Sequence, residues 1–122
     1  MHSNEKELAL MAAKAADDKK AKNILLMDMR GVTIITDYFV ICSGQSGVQV
    51  QAIADNIEEK MAEIGLRVGH LEGYREAKWV LMDYGMFVVH IFQEEDREFF
   101  DLERLWRDAP IYYYEENMTT MP

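Results

Sequence analysis

The sequence predicts an α/β domain in which helices pack on a mixed sheet of five strands. Two segments repeat apolar residues at helical spacing, and short runs rich in β-branched and aromatic residues lie between and after them. A helix between the second and third strands permits a parallel pair, whereas the tight turn at Tyr84 and Gly85 requires an antiparallel one. The predicted order of elements is α-β-β-α-β-β-β-α.

The first helix and the first two strands are predicted in the N-terminal third of the chain. Asn4 and Glu7 have capping-box spacing, and apolar residues then recur at helical spacing until the polar residues 17–20. Residues 24–29, apart from Asp28, and residues 38–42 are apolar at consecutive positions, which is typical of strands in a sheet that is covered on both faces. We therefore expect two buried strands after the first helix.

The second helix has the clearest pattern in the sequence. Ser46 and Gln49 form another capping-box pair, and Gly65 stands where a helix commonly ends. Between them, one face of the helix carries an apolar stripe made of Val50, Ile53, Ala54, Ile57, Met61 and Ile64.

The second half of the chain is predicted to contain three strands and a last helix. The strands span residues 67–71, 79–83 and 86–92, and the last two form a hairpin. Glu94 and Glu95 favour the start of a helix, because carboxylates interact well with its N-terminal dipole. One face of this helix carries Phe99, Leu102 and Trp106.

Length and pattern together indicate one domain. A chain of 122 residues can bury a sufficient core without disulfides or metals. Pro110 prevents the last helix from continuing far, and no periodicity follows it. We therefore predict a single domain over residues 1–109 and a flexible C-terminal tail over residues 110–122.

The charge of the chain favours a basic partner. The formal net charge is −9, and the acidic excess lies in the C-terminal part, with three basic and nine acidic residues from His90 to Pro122. An acidic face attracts basic proteins and repels phosphate backbones. Direct, sequence-specific binding of nucleic acid is therefore not expected, although charge alone is also typical of a merely solvated helix.

The sequence favours a cytoplasmic location. Cys42 is the single cysteine, so it has no internal disulfide partner, which fits a reducing compartment. The N-terminus resembles neither a secretory signal nor a transit peptide. No apolar run approaches the roughly 18 residues needed to span a membrane, so no membrane contact is expected.

Metal and covalent chemistry have little support in the sequence. His2, His70 and His90 are scattered, and a single cysteine provides no zinc-type cluster. Cys42 and His90 lie in predicted strands of one sheet and could pair as nucleophile and base. A buried Cys42 and a structural His90 are the favoured interpretations, so we expect neither a cofactor nor a metal.

A loop rich in Gly and Ser supports an alternative function. Residues 43–47 join a strand to a helix, where such loops can bind phosphate, and they are similar to the Gly-Ser turn of nucleotidyltransferases. The next predicted strand lacks the paired carboxylates that would hold magnesium. The alternative is a degenerate or active nucleotidyltransferase-type nucleotide-binding domain that uses Asp37, Gly44 and Ser46 with magnesium and a nucleoside triphosphate.

The predicted fourth strand has the composition of a protein interface. Its alternation places Trp79, Leu81 and Asp83 on one face, and Val80 and Met82 on the other. A Trp and Met patch next to acids is typical of an interface, whereas a Trp packed under a helix would be structural. The pattern alone favours neither interpretation.

Five separate blocks of the sequence resemble one known family. They are DYFVICSGQS at 37–46, QAIAD at 51–55, WVLMDYG at 79–85, VVHIF at 88–92 and REFFDLERLW at 97–106. In this order and spacing they closely resemble the ribosomal silencing factor family, also called the Iojap family. The sequence departs from the family pattern at Met86, where an acidic or amide residue is common, and at Phe99 and Phe100, where tyrosines are usual.

The resemblance implies a nucleotidyltransferase-like α/β fold without catalytic carboxylates, and a binding function instead of an enzyme activity. Family members bind the fourteenth protein of the large ribosomal subunit, block subunit association and so inhibit translation when nutrients are short. Dimers occur in similar proteins, so a homodimer is a further expectation. We expect the ribosomal partner to be contacted by Trp79, Leu81, Met82, Asp83, Tyr84, Glu94 and Glu95.

Overall fold

The computed structural model describes residues 5–115, which form a mixed sheet with helices on both faces. The helices are α1 (Glu5–Asp17), α2 (Gly47–Glu63), α3 (Glu94–Phe100) and α4 (Leu102–Leu105). The strands are β1 (Lys22–Asp28), β2 (Tyr38–Gly44), β3 (His70–Glu72), β4 (Trp79–Asp83), β5 (Phe87–Gln93) and β6 (Ile111–Tyr113). None of the helices described is long and apolar enough to cross a bilayer.

The sheet has six strands in the order β3-β4-β5-β2-β1-β6. The β2–β5 pair is parallel, and the other pairs are antiparallel. The predicted mixed α/β sheet and the antiparallel β4–β5 hairpin are confirmed. The parallel pair that the sequence permitted between the second and third strands is formed instead by β2 and β5, and β3 pairs antiparallel with β4 at the sheet edge. The nucleotidyltransferase-like topology stays a prediction.

The predicted number of five strands is wrong, because Ile111–Tyr113 form a sixth. This strand lies in the segment for which we expected a flexible tail. It pairs with Leu25, Leu26 and Met27 of β1. An apolar strand such as β1 would otherwise present a free edge of backbone donors and acceptors, and β6 covers it.

The second helix is capped much as predicted. Ser46 Oγ accepts the backbone N–H of Gln49 at 3.1 Å, and Gly65 has a φ of +83°. The return bond of the capping box differs, because Gln49 Oε1 accepts the N–H of Gln45 at 2.7 Å instead of that of Ser46. The capping residue expected for the first helix, Asn4, lies outside the described residues.

The predicted last helix is two short helices. Asp101 separates α3 from α4 in a left-handed conformation, with a φ of +47°, and its N–H bonds to the carbonyl of Arg97 at 2.9 Å. The break changes the direction of the chain, so the residues predicted on one helix face are separated. Leu102 is buried in the core, whereas Phe99 is 80% exposed.

The two faces of the sheet are covered to different extents. Helices α1 and α2 pack on one face and enclose the larger apolar core. On the other face, Leu102, Trp106 and Ala109 of the segment after α3 pack over the central strands. On this second face Phe100 of α3 packs on Trp79 of β4, while the outward side chains of β3 are exposed and those of β4 are partly exposed, so part of the sheet surface stays open.

Candidate docking surface

The uncovered part of the sheet is a row of side chains that we call the open strip. It consists of Trp79, Leu81 and Asp83 on β4 together with His70 and Glu72 on β3. In the β3–β4 register His70 faces Asp83 and Glu72 faces Leu81, so the five side chains share one face. The three β4 residues are partly exposed and the two β3 residues are exposed. The strip thus combines apolar and ionisable groups on one strand pair.

Trp79 is held in the open strip by aromatic neighbours. Its ring stacks on Phe92 of β5 with a centroid distance of 5.0 Å, and Phe100 of α3 packs on it at 4.7 Å. Its indole Nε1 donates a hydrogen bond to His90 Nδ1 at 3.1 Å. The indole therefore has a defined orientation, with its polar atom directed into the protein.

His90 lies beneath Trp79 and is 4% exposed. Burial lowers the pKa of the imidazole to about 4, because charge is unfavourable among apolar groups. Since Nδ1 accepts a hydrogen bond in the neutral ring, the proton is on Nε2. Nε2 is buried and has no hydrogen-bond partner within residues 5–115. The expected structural histidine is thus paired at one nitrogen only.

Asp83 places a carboxylate at the end of the open strip. Its Oδ1 accepts the N–H of Gly85 at 2.7 Å and so stabilises the turn between β4 and β5. Across the strip, His70 Nε2 bonds to Glu72 Oε2. Acidic oxygens therefore rim the apolar centre formed by Trp79 and Leu81.

Two of the expected contact residues are buried. Met82 is 0% exposed and Tyr84 is 7% exposed, so neither offers a surface to a partner, and this part of the expectation is wrong. Met82 points towards α1 and α2 because strand alternation puts it opposite Leu81. Tyr84 stacks on Phe87 at 4.9 Å, and burial raises the pKa of its hydroxyl to about 12.

The expected acids of the last helix are not among the five side chains of the open strip. Glu94 and Glu95 are both exposed at the start of α3. Glu94 lines a cleft of about 540 Å³ formed by residues of β1, β2, β6 and α3. Both glutamates directly follow β5, whose Phe92 pairs with Trp79, so they lie beyond the Trp79 end of the strip, whereas Asp83 lies at its other end.

The loop of residues 43–47 packs closely against the start of α2. The N–H groups of Gln45 and Gln49 already bond to side chains at the helix start. A Cβ on Gly44 would come within 3.0 Å of Val50 Cγ2, so this glycine permits close packing of α2 on the sheet. Asp37 precedes the first residue of β2 and Gly44 is its last, which separates them by roughly 23 Å. The residues of the nucleotidyltransferase alternative do not converge.

Cys42 and His90 lie on opposite faces of the sheet. Cys42 packs in the core beneath α1 and α2, whereas His90 contacts Phe39 and Trp79 on the other face. Burial raises the pKa of the Cys42 thiol to about 12. The two side chains therefore do not form a nucleophile–base pair. Within residues 5–115, no group of three or more His, Cys, Asp or Glu side chains is arranged to hold a metal ion.

Comparison with known proteins identifies the family. A family model described as "Ribosomal silencing factor during starvation" matches residues 2–121. The chain belongs to this family. The ribosomal silencing factor RsfS of Bacillus subtilis is 48% identical over 108 residues, which cover 88% of this chain and 92% of that protein. The chloroplastic protein Iojap of Zea mays is 34% identical over 83% of this chain and 44% of its own length.

Solved structures support the same relationship. A crystal structure from Bacillus halodurans has a TM-score of 0.77 and 42% identity, covering 89% of this chain and 98% of that one. Protein CV0518 of Chromobacterium violaceum has a TM-score of 0.84 and 28% identity, covering 96% and 98%. The resemblance inferred from the five sequence blocks is thus confirmed.

Three residues around the site of this silencing-factor family member have contacts that the sequence pattern does not predict. His90 and Phe100 support Trp79, and neither contact has a local signal because the residues come from different elements. Arg97 is 8% exposed and donates to Glu103, to Ser43 Oγ at 2.9 Å and to the carbonyl of Asn23 at 2.7 Å. Arg97 thereby fixes α3 and α4 to the sheet beside the site.

Proposed function

We propose that this protein is a cytoplasmic translation inhibitor that binds the large ribosomal subunit through its open strip. The partner is the fourteenth ribosomal protein, and the bound inhibitor blocks joining of the small subunit under nutrient limitation. The observation that carries the proposal is a partly exposed apolar surface with an acidic rim in a member of the ribosomal silencing factor family. Other family members are named ribosomal silencing factors, which supports a role at the ribosome.

The open strip has the anatomy of a binding surface. Trp79 and Leu81 form an apolar centre, and a central aromatic anchor surrounded by polar groups is typical of energetically important contacts. Successive outward side chains of β4 are about 7 Å apart. A Lys or Arg of the partner can therefore lay its aliphatic stem over Leu81 while its charged end reaches the Asp83 carboxylate.

The charge of the whole chain supports a basic partner on an RNA-rich particle. A net charge of −9 attracts a basic protein surface and repels the surrounding phosphates. Such a chain is directed towards ribosomal protein that is exposed between RNA segments. Its binding then needs no base contacts.

The proposed mechanism is steric. A protein of 14.2 kDa that covers a patch of the intersubunit face excludes the small subunit from the same area. A standard interface of roughly 800 Å² on each partner is sufficient for stable binding. No chemical step is required, which agrees with the lack of convergence among Asp37, Gly44 and Ser46.

The proposal predicts that a Leu81→Ala variant binds large subunits less tightly. Removing the aliphatic centre of the strip is expected to weaken binding by about tenfold, since a well-packed interface side chain contributes roughly 1–2 kcal/mol. Leu105→Ala is the matched control, because Leu105 is 69% exposed on α4 and lies outside the strip. Co-sedimentation with purified large subunits, and binding to the isolated fourteenth protein, measure both variants. Equal binding by Leu81→Ala and wild type would remove the strip from the interface.

The acidic rim is tested by an Asp83→Asn variant. The amide oxygen of Asn can still accept the Gly85 N–H, so the turn is retained while the charge is lost. Binding to the isolated ribosomal protein is expected to weaken about fivefold at low salt, which corresponds to about 1 kcal/mol for a partly exposed ion pair. An unchanged affinity would exclude Asp83 from the ionic contact.

A further inference from the structure

The Trp79–His90 pair constrains how the open strip contacts its partner. At many interfaces a tryptophan uses its indole N–H to bind the partner. Here the N–H is already donated inwards to His90 Nδ1 at 3.1 Å. The part of Trp79 that reaches the surface is therefore carbon.

The acceptor in this bond is itself rigid. His90 is 4% exposed and is packed edge-on against Phe39, with a centroid distance of 4.5 Å. Phe92 and Phe100 hold the indole from two further directions. Turning the indole outwards would leave Nδ1 of His90 as a buried acceptor without a donor, which is unfavourable. The inward orientation is therefore expected to persist when a partner binds.

We propose that His90 is a positioning residue that fixes the Trp79 indole for docking, so that the partner group received there is apolar. That group is an aliphatic stem or ring of the ribosomal protein, in contact with indole carbons, and not a carbonyl or carboxylate bonded to the indole N–H. This inference rests on the proposed function and specifies its partner chemistry. It predicts that complementarity to Trp79 depends on shape, while ionic selectivity resides at Asp83.

Two substitutions of His90 separate the hydrogen bond from the volume of the ring. In His90→Asn, the amide oxygen Oδ1 is attached to Cγ, as Nδ1 is in the native histidine. The variant therefore keeps a hydrogen-bond acceptor near the indole N–H. His90→Leu has nearly the same shape as the Asn variant but no acceptor. We expect His90→Leu to bind large subunits about tenfold more weakly than His90→Asn. On a Trp79→Phe background, which has no indole donor, the two variants should bind equally.

A measurement on the unmodified chain tests the same inference without any substitution in the core. Hydrogen exchange of the Trp79 indole N–H, followed by NMR on labelled protein, is expected to be slow in the free chain. It should stay slow in the complex with the fourteenth ribosomal protein. The resonance is assigned with a Trp106→Phe variant, since the chain has two tryptophans.

The outcomes distinguish this inference from the proposed function. If Trp79→Ala weakens binding while His90→Leu and His90→Asn bind alike, or if the indole N–H exchanges rapidly, the positioning role of His90 is wrong and the docking surface stands. If neither Trp79→Ala nor Leu81→Ala changes binding, the docking surface itself is wrong, and the role of His90 in docking is refuted with it.

Discussion

At the scale of single residues, the most unusual environment is that of His90. Its neighbours on the sheet face are Phe39, Phe92 and Trp79, all uncharged. Burial lowers its pKa to about 4, compared with about 6.5 in an unfolded chain. The imidazole of His90 is therefore neutral in the folded protein over a pH range in which the same histidine is protonated in the unfolded chain.

This difference predicts an acid-dependent loss of stability. As the pH falls from about 6.5 to about 4, the unfolded state is increasingly favoured, and the contribution of His90 to the free energy of unfolding declines by about 3 kcal/mol in total. Above pH 6.5 the contribution is complete. Urea unfolding at several pH values measures this contribution as the difference in unfolding free energy between wild type and His90→Leu. The other titrating groups are the same in both proteins, so their effects cancel. Parallel pH profiles for the two proteins would contradict the prediction.

The side chains of β4 show how far sequence reasoning extends at this scale. The alternation of Trp79, Leu81 and Asp83 with Val80 and Met82 was predictable, and the bounds of the strand agree with the prediction. Both sets contain apolar residues, so the alternation alone does not determine which set is buried. The position of α1 and α2 decides it, because these helices cover the Met82 side. That position depends on packing between distant elements.

At the scale of elements, β6 completes the sheet. Its three residues pair with β1, and the N–H of Tyr114 donates to the carbonyl of Ile24 at 3.0 Å. A run as short as Ile111–Tyr113 has too few residues for a detectable period, and its partner lies more than 80 positions earlier in the chain. The strand was missed because its stability comes from this long-range pairing and not from a local pattern.

Truncation tests the contribution of β6. A chain that ends after Pro110 is expected to lose about 2 kcal/mol of unfolding free energy, because it exposes the edge of β1 and the apolar side chains beneath β6. A chain that ends after Glu115 retains the strand and is the matched control. Urea unfolding measures both. Equal stability of the two truncated chains would show that β6 contributes nothing to the fold.

The break between α3 and α4 was also not predictable from the sequence pattern. Phe99, Leu102 and Trp106 have spacing that fits one continuous helix. The left-handed backbone of Asp101 interrupts it, and Arg97 fixes the resulting corner to β1 and β2. The break immediately follows Phe100, which packs on Trp79, so it lies next to the site.

At the scale of the whole molecule, charge is expected to govern the rate of docking. Opposite charges accelerate encounter, and salt screens them over about 10 Å at 0.1 M. We predict that the association rate with large subunits falls about tenfold between 0.05 and 0.5 M monovalent salt at constant magnesium. The dissociation rate should change less. Rapid-mixing kinetics measure both, and an association rate independent of salt would contradict electrostatic attraction.

The family could be recognised from the sequence because its characteristic blocks coincide with structural elements that form the site. WVLMDYG contains the whole of β4, and VVHIF contains His90 of β5. The architecture around them follows from ordinary periodicity and capping. The contacts between blocks, such as that of Trp79 with His90, could not be predicted from the sequence, because no local pattern relates residues of separate strands.

We propose that this protein, once bound to the large subunit, excludes the small one. The most direct test is light scattering of purified subunits mixed in the presence of increasing amounts of the chain. The rate of subunit joining is expected to fall to a minimum as the large subunits become saturated with the chain. The Leu81→Ala variant should need about tenfold higher concentration for the same effect. Joining at an undiminished rate with saturating wild-type protein would contradict the account.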